Sequence, residues 1–470
     1  MQKEAKKKKK FEMPHIYVIL FLFSAIAAVA TYIIPAGEYD RVPGPEGRET
    51  IDANSYTVVE QNPVGPVDFL TVIPRGLIDA GEVVFFTFII GGMFMVLRRT
   101  GIIEIGVDKL AKKFASKSLL LIPLLTVVFA AIATVIGTPE LCLVYIPVIL
   151  PLMIALGYDS IVAAAIALCG TVIGFTAGVL NPINTGLAQK ISGLPVFSGA
   201  GFRLTLFIVA IALAVLFIMR YAIKVKKDPT ASFVYEDDQE KRALHQHANQ
   251  VEEMTMSTRQ KYAAMATFIF FAILVYGVLA KGWFMIEMAG LFIIMGIVVG
   301  LIAGLNTTEI AEGFNKGFRD VLMGAIIIGI ARAVAVVLED GQIMDTIVHS
   351  LGSAVGELPA VFGAVGMYLV QLIINFIIPS GSGQALVTMP IMAPLSDLIG
   401  VTRQTAVLAF QLGDGFAHIL FPTSGYFMAA LAIAGVSWQK WVRFYGPLFL
   451  CFMGLSIVAL IIAQLTQWTG

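Results

Sequence analysis

Long apolar runs separated by short polar stretches repeat along the chain, and most reach about twenty residues, the length that crosses a bilayer as a helix. The pattern predicts an all-α polytopic membrane protein with about nine transmembrane helices. The first lies within the opening 34 residues, and the others fall at about 77–97, 160–192, 203–223, 262–281, 286–305, 318–338, 402–434 and 444–466. Two apolar stretches do not fit as single spans. The arms at about 119–136 and 141–156 are short, the second carries Pro147 and Pro151, and they meet at GTPE (Gly137 to Glu140). In the other, NFIIPSGSGQALVTMP (residues 375 to 390) places a polar, helix-breaking tip, SGSG (Ser380 to Gly383), inside an apolar stretch. Unpaired backbone in hydrocarbon costs several kcal/mol per group, so such a break survives only where protein or a water-filled cavity surrounds it. Both stretches are therefore read as re-entrant hairpins.

Composition supports the membrane reading. The chain is 58% hydrophobic and 14% charged, against roughly 25% charged in a soluble domain. The net charge is zero, and no nucleic-acid partner is implied. Lys and Arg are unevenly placed, and their bias sets the orientation. Lys3 and Lys6 to Lys10 put the N-terminus in the cytoplasm, and the acidic segment 37–68, with Arg41 and Arg48 among its acids, falls outside. Arg98, Arg99, Lys109, Lys112, Lys113 and Lys117 lie inside. Glu339, Asp340, Asp345 and Glu357 lie outside, and the C-terminus ends outside. The expected location is the cell inner (plasma) membrane, as a multi-pass protein. Arg220, Lys224, Lys226, Lys227, Arg259 and Lys261 flank a cytoplasmic loop whose run YEDDQEKRALHQHANQVEE reads as a solvated linker, with His245 and His247 on its surface. The first apolar run is too long for a signal-peptide core and is read as a retained span. Cys142, Cys169 and Cys451 sit in apolar segments as small buried hydrophobes, with no disulfide framework.

An internal repeat reorganises the chain. Pro147, Pro151, Gly157 and Gly170 recur 243 residues later as Pro390, Pro394, Gly400 and Gly413, and GTPE falls opposite SGSG. PRGLIDA (74–80) resembles NKGFRDV (315–321) at an offset of 241. The division is a first repeat at 1–223, a linker at 224–261 and a second repeat at 262–470. Five spans separate the two prolines, an odd number, so the copies are expected to be inverted in the membrane. Inverted repeats with broken helices meeting near the midplane mark secondary transporters.

Four breaks should then converge: both tips, NPINTG (Asn181 to Gly186) and FPTSG (Phe421 to Gly425). Each joins Pro or Gly, which interrupts a helix, to amides or hydroxyls that can coordinate a cation or a polar group. Thr138, Asn181, Asn184 and Thr185 form one candidate cluster, and Ser380, Ser382, Thr423 and Ser424 the other. Ionisable residues at membrane depth are costly and mark function. Glu140, and Asp414 with His418 in QLGDGFAHILFPTSG, are the sharpest, suited to a cationic substrate or a coupled Na⁺ or H⁺. Arg332 is read as a structural partner of an acid such as Asp340, and Asp79 and Glu82 as a solvated face. No nucleotide-binding motif is present, no cofactor is implied, and no enzyme activity is expected. YD at Tyr158 and Asp159 with GD at Gly413 and Asp414 is a weak match to intramembrane aspartyl proteases. It fails where Gln411 replaces their Gly. A passive channel is the other alternative.

GTPELCLVYIPVILP, IPSGSGQALVTMPIMAP, GVLNPINTG and GDGFAHILFPTSG together resemble the C4-dicarboxylate anaerobic carrier family, and more closely its YfcC-like branch, which includes basic amino acid antiporters of the arginine/ornithine kind. The family belongs to the ion transporter superfamily. The resemblance implies a scaffold subdomain, a mobile transport subdomain holding the hairpins, elevator-like movement and a homodimer. Dicarboxylate members of the superfamily carry Ser-Asn-Thr triplets at their tips, with Na⁺ nearby. The tips here carry none, and any Na⁺ would sit near Gly137, Asn181, Ser380 and Thr423. Glu140 is a poor neighbour for a dianion, because like charges in a dry site repel. The expected activity is exchange of a small amino-acid-like solute, in particular a basic amino acid. The alternative is a C4-dicarboxylate or other small carboxylate carried with Na⁺ or H⁺.

Overall fold

Proline and glycine divide the apolar runs into separate helices. The computed structural model describes residues 14–45, 49–243 and 256–470. Lys3, Lys6 to Lys10, Arg48, His245 and His247 lie outside the described residues. The first half contains α1 (Ile16–Ala30), α2 (Pro66–Asp79), α3 (Gly81–Arg99), α4 (Ile102–Phe114), α5 (Ser118–Ile136), α6 (Cys142–Ala155), α7 (Ser160–Ala177), α8 (Leu187–Ile191) and α9 (Ala200–Lys227). The second contains α10 (Thr258–Lys281), α11 (Met285–Ala303), α12 (Thr307–Asp340), α13 (Met344–Gly356), α14 (Ala360–Ile377), α15 (Gly381–Leu398), α16 (Arg403–Gly415), α17 (Gly425–Ala434) and α18 (Trp438–Leu465).

Among the described residues nine helices are long and apolar enough to cross a membrane. They are not the nine spans expected from the sequence. The arms α5 and α14 qualify, whereas α1 has only 15 residues and the expected eighth span is split into α16 and α17. The halves line up along the offset of the prolines. Helices α4 and α13 each have 13 residues, and α9 and α18 each have 28. The 34-residue α12 stands where α2 and α3 stand in the first half. Gly170 lets α7 lie close against α5, and Gly413 lets α16 lie close against α14. A Cβ on Gly170 would sit 3.0 Å from the Thr126 carbonyl oxygen, and one on Gly413 2.9 Å from that of Tyr368.

Two groups of helices result. In one, α12 packs along α1, α2 and α3, and α17 of the other group lies against it. In the other, α5, α7 and α9 pack together, as do α14, α16 and α18. Each second arm packs both on its own half and on the other, α6 on α7 and α17, and α15 on α16 and α8. The turn before α6 stays at the break of its own half, with Gly137 against Asn181, whereas the turn before α15 brings Gly381 up to Asn184 of the first half.

On one side, β1 (Gly37–Glu38) pairs with β4 (Thr57–Val58) and β2 (Arg41–Pro43) with β3 (Glu49–Ile51), both antiparallel. This ribbon docks on α13 and α15. Arg41 pairs with Asp345 at 2.9 Å, Tyr56 stacks on His349 with centroids 4.0 Å apart, and the Tyr39 hydroxyl meets His349 Nδ1 at 2.9 Å. Burial and the Asp345 carboxylate push the Tyr39 phenol up, so it stays protonated. Thr50 Oγ1 donates to the Leu386 carbonyl at 2.8 Å, the acceptor that Pro390 leaves without its helical N–H.

Several expectations change. The stretch before residue 244 exposes Glu236, Asp237, Gln239 and Glu240, as expected of a solvated run, but it is anchored at one point. Asp238 is fully buried and accepts from Ser160 N at 2.7 Å and Ser160 Oγ at 2.5 Å, while Lys241 Nζ reaches Asp238 at 2.7 Å and the Ala434 carbonyl at 2.9 Å. The start of α7 is buried, so its free N–H groups need acceptors from elsewhere in the chain. Asp238→Asn keeps an acceptor for Ser160 but removes the charge facing Lys241, and should lower stability by about 1 kcal/mol. A melting temperature in detergent equal to that of the parent would show that this pairing adds nothing. Arg332 bonds Glu339 at 3.1 Å and approaches Asp79 at 3.8 Å, whereas Asp340 holds Arg75. Cys451 is exposed, unlike Cys142 and Cys169, which are buried. Glu82 is exposed, as expected.

Candidate functional site

Where α7 stops at Ala177, Asn181 organises the break. Its Oδ1 accepts from Ile183 N at 2.9 Å and Asn184 N at 3.1 Å, and its Nδ2 donates to the Phe175 carbonyl at 3.0 Å. This caps a π turn over Pro182–Gly186 and turns Asn184 toward the second half. There α16 ends at Gly415, a 3₁₀ turn covers Phe416–Ile419, and α17 starts at Gly425.

Asp414 is fully buried between these breaks. Asn184 Nδ2 donates to Oδ2, and Oδ1 meets both Asn375 Nδ2 and His418 Nε2 at 2.9 Å. Asn375 Nδ2 also stands 3.2 Å from Gln384 Oε1, and Gln384 donates to Gln371 Oε1 at 2.7 Å. Tip two closes over the group. A Cβ on Gly381 would lie 3.1 Å from Asp414 Oδ2, 3.2 Å from Asn184 Nδ2 and 2.7 Å from the Phe175 ring, so only glycine fits without displacing them.

Tip one approaches from the other side. Gly137, with φ of 79°, ends α5 against Asn181, and a Cβ there would lie 2.5 Å from Asn181 Oδ1. Glu140, on the 3₁₀ turn Pro139–Leu141, is half-buried and within electrostatic reach of Asp414, His418 and Glu82. Thr138 is half-buried beside it. Thr185 Oγ1 meets Gln411 Oε1 at 3.4 Å.

Thr423 and Ser424 are buried, and their hydroxyls have no hydrogen-bond partner; Asn375 Oδ1, His418 Nδ1 and the Tyr426 hydroxyl share that condition. An unsatisfied buried polar group costs about 1–3 kcal/mol, so several together mark a place built to meet something else. Ser380 and Ser382 are not part of this group. Ser380 is exposed and caps its own helix, accepting from Gly383 N at 3.3 Å, and Ser382 is half-buried. The four positions considered for Na⁺ are thus divided, with Asn181 Oδ1 already taken by two N–H groups and Ser380 facing outward. Asp159 caps α7 through Val162 N and accepts from Tyr221 and Ser232 at 2.6 Å each.

Sequence reasoning missed neutral amides and one cation. Asn375, Gln371 and Gln384 flank tip two. Gln411 donates to the Thr176 and Ala177 carbonyls at 3.1 and 3.0 Å and accepts from Arg203 Nε at 2.9 Å. Arg203 is buried, with its guanidinium over the Trp468 ring at 5.0 Å. Polar residues facing each other across two broken helices were the available signal.

The family model of the C4-dicarboxylate anaerobic carriers matches residues 13–465. An Escherichia coli protein named "Putative basic amino acid antiporter YfcC" is 32% identical, covering 98% of each chain. Two solved structures also align: the YdaH transporter of Alcanivorax borkumensis (15% identity, TM-score 0.41, 97% of this chain and 99% of that one), and MtrF of Neisseria gonorrhoeae, described within a class of antimetabolite efflux pumps (16%, TM-score 0.42, 98% and 96%). Both likenesses are too distant to bear on the site. The match over nearly the whole length places the chain in the C4-dicarboxylate anaerobic carrier family, as a multi-pass membrane carrier.

Proposed function

We propose that the chain is a secondary active exchanger of basic amino acids, of the arginine/ornithine type. The observation that carries this reading is the acidity of the site: Asp414 and Glu140, from opposite halves, lie within electrostatic reach of each other, and among the described residues neither is paired with a Lys or Arg. A cationic side chain supplies the missing positive charge, while a dianion would face two carboxylates. The amide donors on Asp414 hold it in place, and Asn181, Asn184, Thr185, Thr138, Thr423 and Ser424 line the surrounding breaks. Movement of α5–α9 and α14–α18, with both hairpins re-entrant, against the helices around α12 gives alternating access in an elevator-like cycle. The working unit is a homodimer with its N-terminus cytoplasmic.

A second reading rests on Arg203, a buried cation that Gln411 bridges toward Thr185 and the site. It favours a C4-dicarboxylate coupled to Na⁺ or H⁺. Counterflow in proteoliposomes separates the two. Internal arginine or ornithine should drive accumulation of labelled arginine, with or without Na⁺. Folded protein that accumulates labelled succinate but not arginine would overturn the exchanger.

A further inference from the structure

Resting on the amino-acid reading, we propose that Thr423, Ser424 and the first turn of α17 bind the α-carboxylate of the substrate, opposite the acidic side formed by Glu140 and Asp414. Thr423 and Ser424 are 5% and 0% exposed, and both hydroxyl oxygens lack partners. They immediately precede a ten-residue helix whose opening N–H groups have no acceptor within the helix and whose N-terminal pole favours an anion. Ser424 does not cap that helix. The corresponding break in the first half is closed internally, because Asn181 takes the N–H groups of Ile183 and Asn184 itself. Two adjacent buried hydroxyls without partners thus stand directly before an uncapped first turn, and among the described residues nothing uses them.

The same turn carries Tyr426, whose hydroxyl is also buried and unpartnered and whose ring lies 5.7 Å from that of His418. Tyr426 is within electrostatic reach of Glu140 and Asp414, and α17 packs on α6, which follows tip one. A carboxylate on the hydroxyls and a cationic group on the acids would therefore belong to one small molecule. The site selects amino acids over amines by what the hydroxyls hold, and basic over neutral side chains by what the acids hold. Tyr426 is a further binding residue, its hydroxyl donating to the same carboxylate or to the His418 ring.

The test uses the full chain in proteoliposomes and chemically matched pairs. Labelled arginine should exchange against internal arginine and ornithine, and at least about tenfold less against agmatine or arginine methyl ester, which lack the carboxylate. Ser424→Ala with Thr423→Val should raise the KM for arginine about tenfold or more, and Ser424→Thr, which keeps a hydroxyl, should restore most of it. Agmatine exchanging as well as arginine, or an unchanged KM in the double variant, would overturn the subsite. If arginine is inert but leucine exchanges and depends on Ser424, the basic side-chain preference fails and the carboxylate subsite stands. Exchange of succinate with no amino acid would overturn both.

Discussion

Asp414→Asn should lower arginine exchange by about a hundredfold or more while leaving the protein folded. The substitution keeps size and shape and removes only the charge. Asn184 Nδ2 and Asn375 Nδ2 both donate to this side chain, and His418 Nε2 lies 2.9 Å from it. An amide can offer one oxygen, so its own NH₂ must face one of those donors, whichever way it is turned. Removing one partner of a buried charged hydrogen-bonded group costs about 2–5 kcal/mol, or roughly 30-fold to several-thousandfold, and here the lost charge is also the one a cation would meet. Glu140→Gln should be milder, because Glu140 is half-buried and has no comparable set of donors. Counterflow, with a melting temperature in detergent as the folding check, measures both. Exchange by a folded Asp414→Asn protein within about threefold of the parent would remove Asp414 from the binding machinery.

How much of this was legible follows from how local each signal is. The tips and breaks were readable because Pro and Gly interrupt a helix by their own covalent structure, whatever surrounds them. Gly137 ends α5 and Pro182 opens the turn after α7, and Gly170 and Gly413 both stand at close helix crossings. Asp414 and His418 stood out because a titratable group in an apolar run is conspicuous. Asn375, Gln384 and Gln411 carry no charge and lie at tip flanks or inside helices, so nothing local distinguished them from packing residues. The pairing of Asn184 with Asp414 spans 230 positions and depends on the two halves crossing, which no window of sequence contains. Ser380 misled for the opposite reason. A serine before a helix serves its own N-terminus first, and the hydroxyl that resembled a ligand is a cap. Asp238 misled because a run of mixed charges normally means water. Its carboxylate is instead neutralised by Lys241 and by the N–H of Ser160, a partner 78 residues away.

Gly317→Val should destabilise the protein by about 3 kcal/mol, the upper part of the range for overpacking, without changing the KM of the molecules that remain folded. Gly317 belongs to NKGFRDV and sits on α12 where it crosses α3. A Cβ there would lie 2.2 Å from the Gly91 carbonyl oxygen and 2.5 Å from Gly92 Cα. These are backbone atoms, so no rotamer change can relieve the overlap and the helices must separate. A like approach occurs where α2 crosses α12: a Cβ on Gly76 would meet the Gly329 carbonyl at 2.4 Å. Gly76 is the glycine of PRGLIDA and lies on α2, so the two glycines matched in the repeat sit at two neighbouring crossings with α12. In lipid, where no hydrophobic force draws helices together, such close backbone approach supplies the dispersion contacts that hold them. Separating α12 from α3 forfeits those contacts along their length, which is why the loss should appear in stability. The residues proposed to bind substrate lie at the two helix breaks and on tip one, away from this crossing, so the binding constant should not follow. A raised KM at unchanged melting temperature would reverse this assignment and place the crossing in the transport cycle; an unchanged melting temperature with unchanged KM would show that the crossing tolerates a side chain.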